Sequence, residues 1–314
     1  MPTTSDKSES EFLRRLREQI GGLPARSAAS PQDFVDDMAA IEVGADPLLW
    51  TVDTLTDGVD FESARHSWYQ IGRKAMAVNL SDCAAMAARP ISALCAVVLN
   101  NRLGLDDALA LHQGAHELGL RFACPLVGGD TNSWDAPTVI TICVAARAEA
   151  GQRPVGRAGA CPGDHVCLTG PVGGSVLGRH LTFEPRVELA LAINRQLAPH
   201  AMIDISDGLA LDLWRILEAS GYGATLDAAA VDAMTHPDAV RLAQQDGRPA
   251  REHALCDGED FELIVVVPPT VSAQMLVGLG LRGIGEIEES AGLHLREADG
   301  RRVLIEPCGW EHFR

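Results

Sequence analysis

The 314 residues carry 26 Lys and Arg against 43 Asp and Glu, a formal net charge of −17, with 46% hydrophobic and 22% charged residues. This is an ordinary globular composition with ample apolar material for a core, and it excludes disordered, collagenous and repeat-array classes. The acidity disfavours a nucleic-acid partner, because phosphate backbones recruit Lys and Arg, and no basic run offsets it.

In chain order, residues 1–30 read as a polar tail with a short amphipathic helix, Glu11 to Ile20, closed by Gly21-Gly22. Leu48 to Val52 reads as a buried strand ending at Asp53. Gln70 to Ala88 has helical apolar spacing and is stopped by Pro90. Ile91–Leu99 is a strand and Asp106–Leu118 a helix. Pro125–Val127 is a short strand running into Gly128-Gly129-Asp130-Thr131, and Thr138–Ala146 is another strand.

The Gly-, Pro- and Arg-rich composition between Ala148 and Gly163 marks a domain boundary. The division is a tail over 1–30, an N-terminal domain over 31–149 and a C-terminal α/β domain over 150–314. In the second half, His165–Leu168 is a strand opening onto a glycine-rich stretch, Gly170 to Gly178, that precedes a helix and reads equally as a phosphate cradle at its N-terminus or as a plain tight turn. Met202-Ile203 leads into Asp204-Ile205-Ser206-Asp207-Gly208 and a helix to Ser220, and Phe261–Val267 is an apolar strand. Mixed elements in both halves indicate an α/β or α+β fold.

The eight cysteines include no C-x-x-C pair, which disfavours a zinc ribbon or a dithiol motif. The N-terminal MPTTSDKSESEF lacks a basic region followed by an apolar one, so no secretory signal is expected. No apolar run reaches the roughly eighteen residues of a membrane span. A cytoplasmic location with free thiols is the expectation.

The carboxylates Asp36-Asp37, Asp53, Asp57, Asp130, Asp204, Asp207 and Glu259-Asp260 fall at the ends of apolar elements, several of them beside glycine. Any one such pair makes a turn. As a set drawn from both halves they suggest a cleft holding hard cations, and Mg²⁺ takes oxygen ligands and bridges carboxylates to nucleotide phosphates. Asp82 stands apart, an acid among Ala77, Val78, Ala84, Ala85 and Met86, where burial is costly without a partner or a metal. The chain has no G-x-x-x-x-G-K-[ST], no protein-kinase signature and no G-x-S-x-G.

The stretches Asp36-Asp-Met-Ala-Ala-Ile, Thr51-Val-Asp-Thr-Leu-Thr-Asp-Gly-Val-Asp-Phe61 and Lys74-Ala-Met-Ala-Val-Asn-Leu-Ser-Asp82 resemble thiamine-monophosphate kinase. So do Gly128-Gly-Asp-Thr131, Asp204-Ile-Ser-Asp-Gly-Leu209, Gly258-Glu-Asp-Phe-Glu-Leu263 and Gly309-Trp-Glu-His-Phe313. The family is grouped with aminoimidazole ribonucleotide synthetase and selenophosphate synthetase.

The resemblance implies a two-domain α/β fold, a homodimer that pairs its N-terminal sheets, and ATP with several Mg²⁺ ions in the cleft. It implies direct transfer of the γ-phosphoryl to thiamine monophosphate. By position it implies metal ligands at Asp37, Thr51, Asp53, Asp82, Asp130, Asp204 and Asp207. ATP contacts fall at Gly129, Asp130, Arg157 and Ser206, and acceptor contacts at Asp60, Glu259 and Trp310. Such chemistry needs positioning and charge neutralisation rather than a strong base.

Four positions depart from the family pattern: Val35 for Gly, Val52 for Thr, Asp257 for Gly, and Asp60 for a substrate-contacting His. They keep two other readings open, a same-fold enzyme with a different acceptor and a silent nucleotide- or metal-binding dimer.

Overall fold

The computed structural model describes residues 36–43 and 46–312; the helix expected over Glu11–Ile20 and the Val35 departure lie outside them. The first sheet holds β1 (Ala39–Val43), β2 (Asp46–Thr56), β3 (Ala88–Asn100), β4 (Leu126–Trp134) and β5 (Val139–Ala148) in the order β1-β2-β5-β3-β4. All neighbours are antiparallel except β3 and β4. Along β3, buried and exposed residues alternate, as a sheet packed on one face requires. The inner face meets α1 (Trp68–Ala85), which packs on α2 (Leu105–Arg121). Helix α1 starts at a capping box in which Ser67 and Gln70 satisfy each other's backbone N–H groups.

The second sheet is wider and its order is β12-β11-β8-β10-β6-β9-β7. Its strands are β6 (His165–Leu168), β7 (Ala201–Asp204), β8 (Gly223–Asp227), β9 (Leu263–Val267), β10 (Arg282–Glu288), β11 (Leu293–Arg296) and β12 (Arg302–Leu304). The helices here are α3 (Val187–Leu197), α4 (Leu209–Ser220), α5 (Ala228–Ala233), α6 (Pro237–Asp246), α7 (Ala250–Cys256) and α8 (Ala273–Gly278). β7 and β9 are buried throughout.

Alternate residues of β9 enter two different cores. Leu263, Val265 and Val267 join one with α1, β5 and α3, while Ile264 and Val266 join the other with α4 and β8. Helix α1 is thereby packed between the first sheet and one face of the second, and it carries Asp82 to that junction.

Three expectations are corrected. The short strand expected over Pro125–Val127 does not stop before Gly128–Thr131, which is part of edge strand β4 and is paired in parallel with β3. The stretch Gly170–Gly178 leads into two 3-10 turns, Ser175–Leu177 and Arg179–Leu181, not an α-helix, because Gly174 and Gly178 adopt positive φ and break the turn on either side. No helix N-terminus therefore stands there to cradle phosphate. Not all thiols are free, since Cys256 and Cys308, with Cα atoms 4.9 Å apart, form a disulfide. Among the described residues no helix is long and apolar enough to cross a membrane.

Candidate active site

Three carboxylates from three different elements converge. Asp37 lies just before β1, Asp82 on the last turn of α1 and Asp204 at the end of β7, and one oxygen of each falls within 4.8 Å of the others. Thr51, buried on the inner face of β2, donates its hydroxyl to Asp82 Oδ2. Ser81 donates to Asp204 Oδ2 at 2.5 Å. Asp53, two residues along β2, is hydrogen-bonded to Asp82 and lies in the field of Asp37, Asp60 and Asp207.

Burial raises the pKa of Asp53 to about 6, helped by those neighbouring charges and opposed by the Asp82 hydrogen bond. Asp82 is pushed well above the usual carboxylate range, first by burial and then by Asp53, Asp204 and Asp37; Asp204 is likewise raised by burial and then by Asp37, Asp212 and Asp53. A cluster that holds its own protons this way is short of positive charge.

Two arginines supply part of it. Arg157 is bidentate on Asp37, with Nη2 at 2.7 Å and Nε at 3.3 Å, and its backbone N–H donates to Asp36 Oδ1 at 2.7 Å. Burial alone would lower the Arg157 pKa, but Asp37 outweighs it and keeps the guanidinium charged. Arg215 on α4 bridges Asp207 at 2.5 Å and buried Asp212 at 2.6 Å. Asp212 Oδ2 in turn accepts from the backbone N–H groups of Asp207 and Gly208, which shapes the loop carrying Ser206 and Asp207.

A second group sits beside the cluster. Lys74 of α1 is fully buried. Its ammonium donates to Glu259 and, at 2.5 Å, to the carbonyl of Asp60, and stands 2.9 Å from His180 Nδ1. His180 is 3.0 Å from Glu259 Oε2. Burial would raise the Glu259 pKa, but His180 and Lys74 reverse that and hold it below its ordinary value. Glu259 adopts φ +62°, a left-handed conformation rare outside glycine. Its backbone N–H donates to Ser206 O at 2.7 Å. Asp60 Oδ2 accepts from Thr56 N–H at 2.7 Å, which closes the turn after β2. Trp310 is 55% exposed, and its N–H donates to Asp207 O at 2.9 Å.

Gly129 and Asp130 are placed apart. Register runs from Asp53 to Ile142, to Cys95 and to Gly129, so Gly129 stands three strands from Asp53, about 14 Å at ordinary strand spacing. Asp130 pairs with exposed Ala96 and lies on the outer face, opposite the inner face that carries Asp53. A Cβ on Gly129 would meet Cys95 O at 1.8 Å, so the close approach of β4 to β3 requires glycine there.

Lys74, His180, Asp212 and Arg215 were not legible as site residues from the motifs. Lys74 carried the same signal as Asp82, a charge on an apolar helix face.

Two mixed sheets and an acidic junction between them define a class, and residues 35–148 match the family described as AIR synthase related protein, N-terminal domain. The thiamine-monophosphate kinase of Rhodopirellula baltica is 38% identical, with 97% of each chain covered. That of Synechococcus elongatus is 32% identical over 98% of this chain and 99% of its own. The solved structure described as AaThiL complexed with AMPPCP and TMP superimposes with a TM-score of 0.84 at 25% identity, covering 100% of this chain and 99% of that one. The chain belongs to the thiamine-monophosphate kinase family.

Proposed function

We propose that this chain transfers the γ-phosphoryl group of ATP to thiamine monophosphate. An oxygen of the acceptor phosphate forms the new bond to Pγ, the bond from Pγ to the β,γ-bridging oxygen breaks, and thiamine diphosphate and ADP leave. The observation that carries this reading is the convergence of Asp37, Asp82 and Asp204 at the junction of the two sheets, in a chain similar over its whole length to named thiamine-monophosphate kinases.

The donor set suits Mg²⁺. It consists of hard carboxylate oxygens close enough to share one ion, with burial and mutual repulsion left unrelieved by the two arginines. Asp37, Asp82 and Asp204 would hold the metal, with Thr51, Asp53 and Asp207 at its margin; Mg²⁺ there would neutralise phosphate charge during transfer. Arg157 supplies a further fixed cation for the nucleotide, and Ser206 lies on the same loop as Asp207.

At the acceptor side, Lys74 and His180 hold Glu259 ionised and fixed, which suits recognition of the cationic thiazolium. Trp310 offers an exposed indole face for an aromatic ring. The carboxylate of Asp60 is committed to the Thr56 N–H and its carbonyl to Lys74, so Asp60 shapes the site rather than facing the anionic phosphate.

A homodimer through the first sheet belongs to this reading. Its outer face exposes Val52, Leu94 and Val127, and every residue of β4 after Leu126 is exposed. A site completed by β4 of a second copy accounts for the distance of Gly129 and Asp130 from the cluster. The division at residues 149 and 150 and a cytoplasmic location are proposed with it.

The test is ADP release from Mg-ATP with and without thiamine monophosphate. Acceptor-dependent release supports the assignment; ADP release indifferent to the acceptor contradicts it.

A further inference from the structure

The disulfide ties together the two segments read above as the acceptor wall. Cys256 ends α7 three residues before Glu259, and Cys308 lies two residues before Trp310. Both segments also bond to the Ser206–Asp207 loop through their backbones. Glu259 N–H donates to Ser206 O at 2.7 Å and Trp310 N–H to Asp207 O at 2.9 Å. A Cβ on Gly309 would meet Asp207 O at 2.6 Å.

Packing holds the base of this segment, where Ile305 and Cys308 lie against the second core. The segment from Ile305 to His312 forms no helix or strand, and Trp310 is more than half exposed. A cavity of about 590 Å³ opens against it, lined by Leu255, Cys256, Ile305 and Cys308 among others. The disulfide adds a covalent link to these contacts, two residues from the exposed Trp310.

We infer that Cys256 and Cys308 are positioning residues for the acceptor, and that their disulfide makes acceptor affinity responsive to thiols. This rests on the assignment of Glu259 and Trp310 as acceptor contacts. Reduction by a small dithiol proceeds by exchange. One probe thiolate attacks a protein sulfur, the Cys256–Cys308 bond breaks, and the second probe thiol completes the step. Two protein thiols form, and the probe is oxidised to its cyclic disulfide. The released C-terminal segment then loses its covalent link to the segment carrying Glu259, and Trp310 is left held through its N–H to Asp207 O. The released segment meets the nucleotide side at the backbone of Asp207, while the Asp37 and Arg157 pair and Asp204 are bonded elsewhere.

The experiment uses the full chain, oxidised, reduced with dithiothreitol and reoxidised, with intact mass reporting the gain and loss of two hydrogens. Initial rates are measured against thiamine monophosphate and against Mg-ATP, together with binding of AMPPCP. Reduction is expected to raise the acceptor KM about tenfold, with kcat and nucleotide affinity changed by less than about twofold, and reoxidation to restore it. Cys308→Ser is expected to behave as the reduced enzyme whether or not dithiol is present. An acceptor KM equal in the oxidised and reduced forms overturns the inference, as does a parallel loss of nucleotide binding. Trp310→Ala separates the two levels. If it raises the acceptor KM while reduction does not, the tether alone fails; if neither raises it, the acceptor assignment fails with it.

Discussion

Lys74 Nζ, fully buried in α1, is bound to Glu259 Oε1 across 185 residues of sequence, so the helix that carries Asp82 also fixes the loop that carries Glu259. Breaking a buried pair by removing one partner leaves the other charge uncompensated, at a cost of about 3–5 kcal/mol. Glu259 keeps about a third of its side chain exposed, which places the loss at the lower end. Lys74→Met should therefore lower thermal stability and raise the acceptor KM. Adding Glu259→Gln to it should recover part of the stability but not the KM, as read by thermal unfolding and initial rates.

Asp82 and Asp204 are crowded by like charge, and the sign of their effect on stability depends on metal. Without divalent ions, Asp82→Asn removes repulsion and should raise the melting temperature. The same substitution should lower kcat by about 10²–10³, the scale of losing one preorganised electrostatic contact in a transition state. Thermal scans in EDTA together with rates in Mg²⁺ check both halves.

Adding Mg²⁺ to the wild-type chain should stabilise it by mass action, by about 2.7 kcal/mol at a hundredfold excess over the dissociation constant. Chelation should abolish turnover. A melting temperature indifferent to Mg²⁺ would remove the metal from this cluster.

Asp260 gives a pH signature away from the metal site. Burial raises its pKa to about 7, against the partial relief of Arg179 and the Gly173 N–H. Its unfolded value is near the ordinary carboxylate value of about 4, so the folded state holds the extra proton between these limits. Its contribution is present below pH 4 and is lost as pH rises to about 7, with a slope approaching ~1.4 kcal/mol per pH unit. Asp260→Asn should flatten that part of the stability profile relative to wild type, measured by denaturant unfolding from pH 4 to 8.

Much of this was legible in the chain. Asp82 stood out because an acid on an apolar helix face must find a partner or a metal. Lys74 obeys the same rule, one face of the same helix carrying both charges. Asp212 and Arg215, inside the Leu-rich helix after Gly208, could have been read as an i,i+3 pair facing the loop. The isolation of Asp130 was not legible, because it depends on the order β2-β5-β3-β4, which no local pattern states. Nor was the pairing of Cys256 with Cys308, separated by 52 residues and brought together by the loop at Asp207. The glycine run after β6 read as a phosphate cradle because spacing alone does not distinguish an α-helix from two 3-10 turns.

The most direct measurement is the fate of the γ-phosphoryl group. With ATP labelled at the γ-phosphate, Mg²⁺ and thiamine monophosphate, the account predicts label in thiamine diphosphate in a one-to-one ratio to ADP. Label released as inorganic phosphate, with no labelled thiamine diphosphate formed, would contradict it.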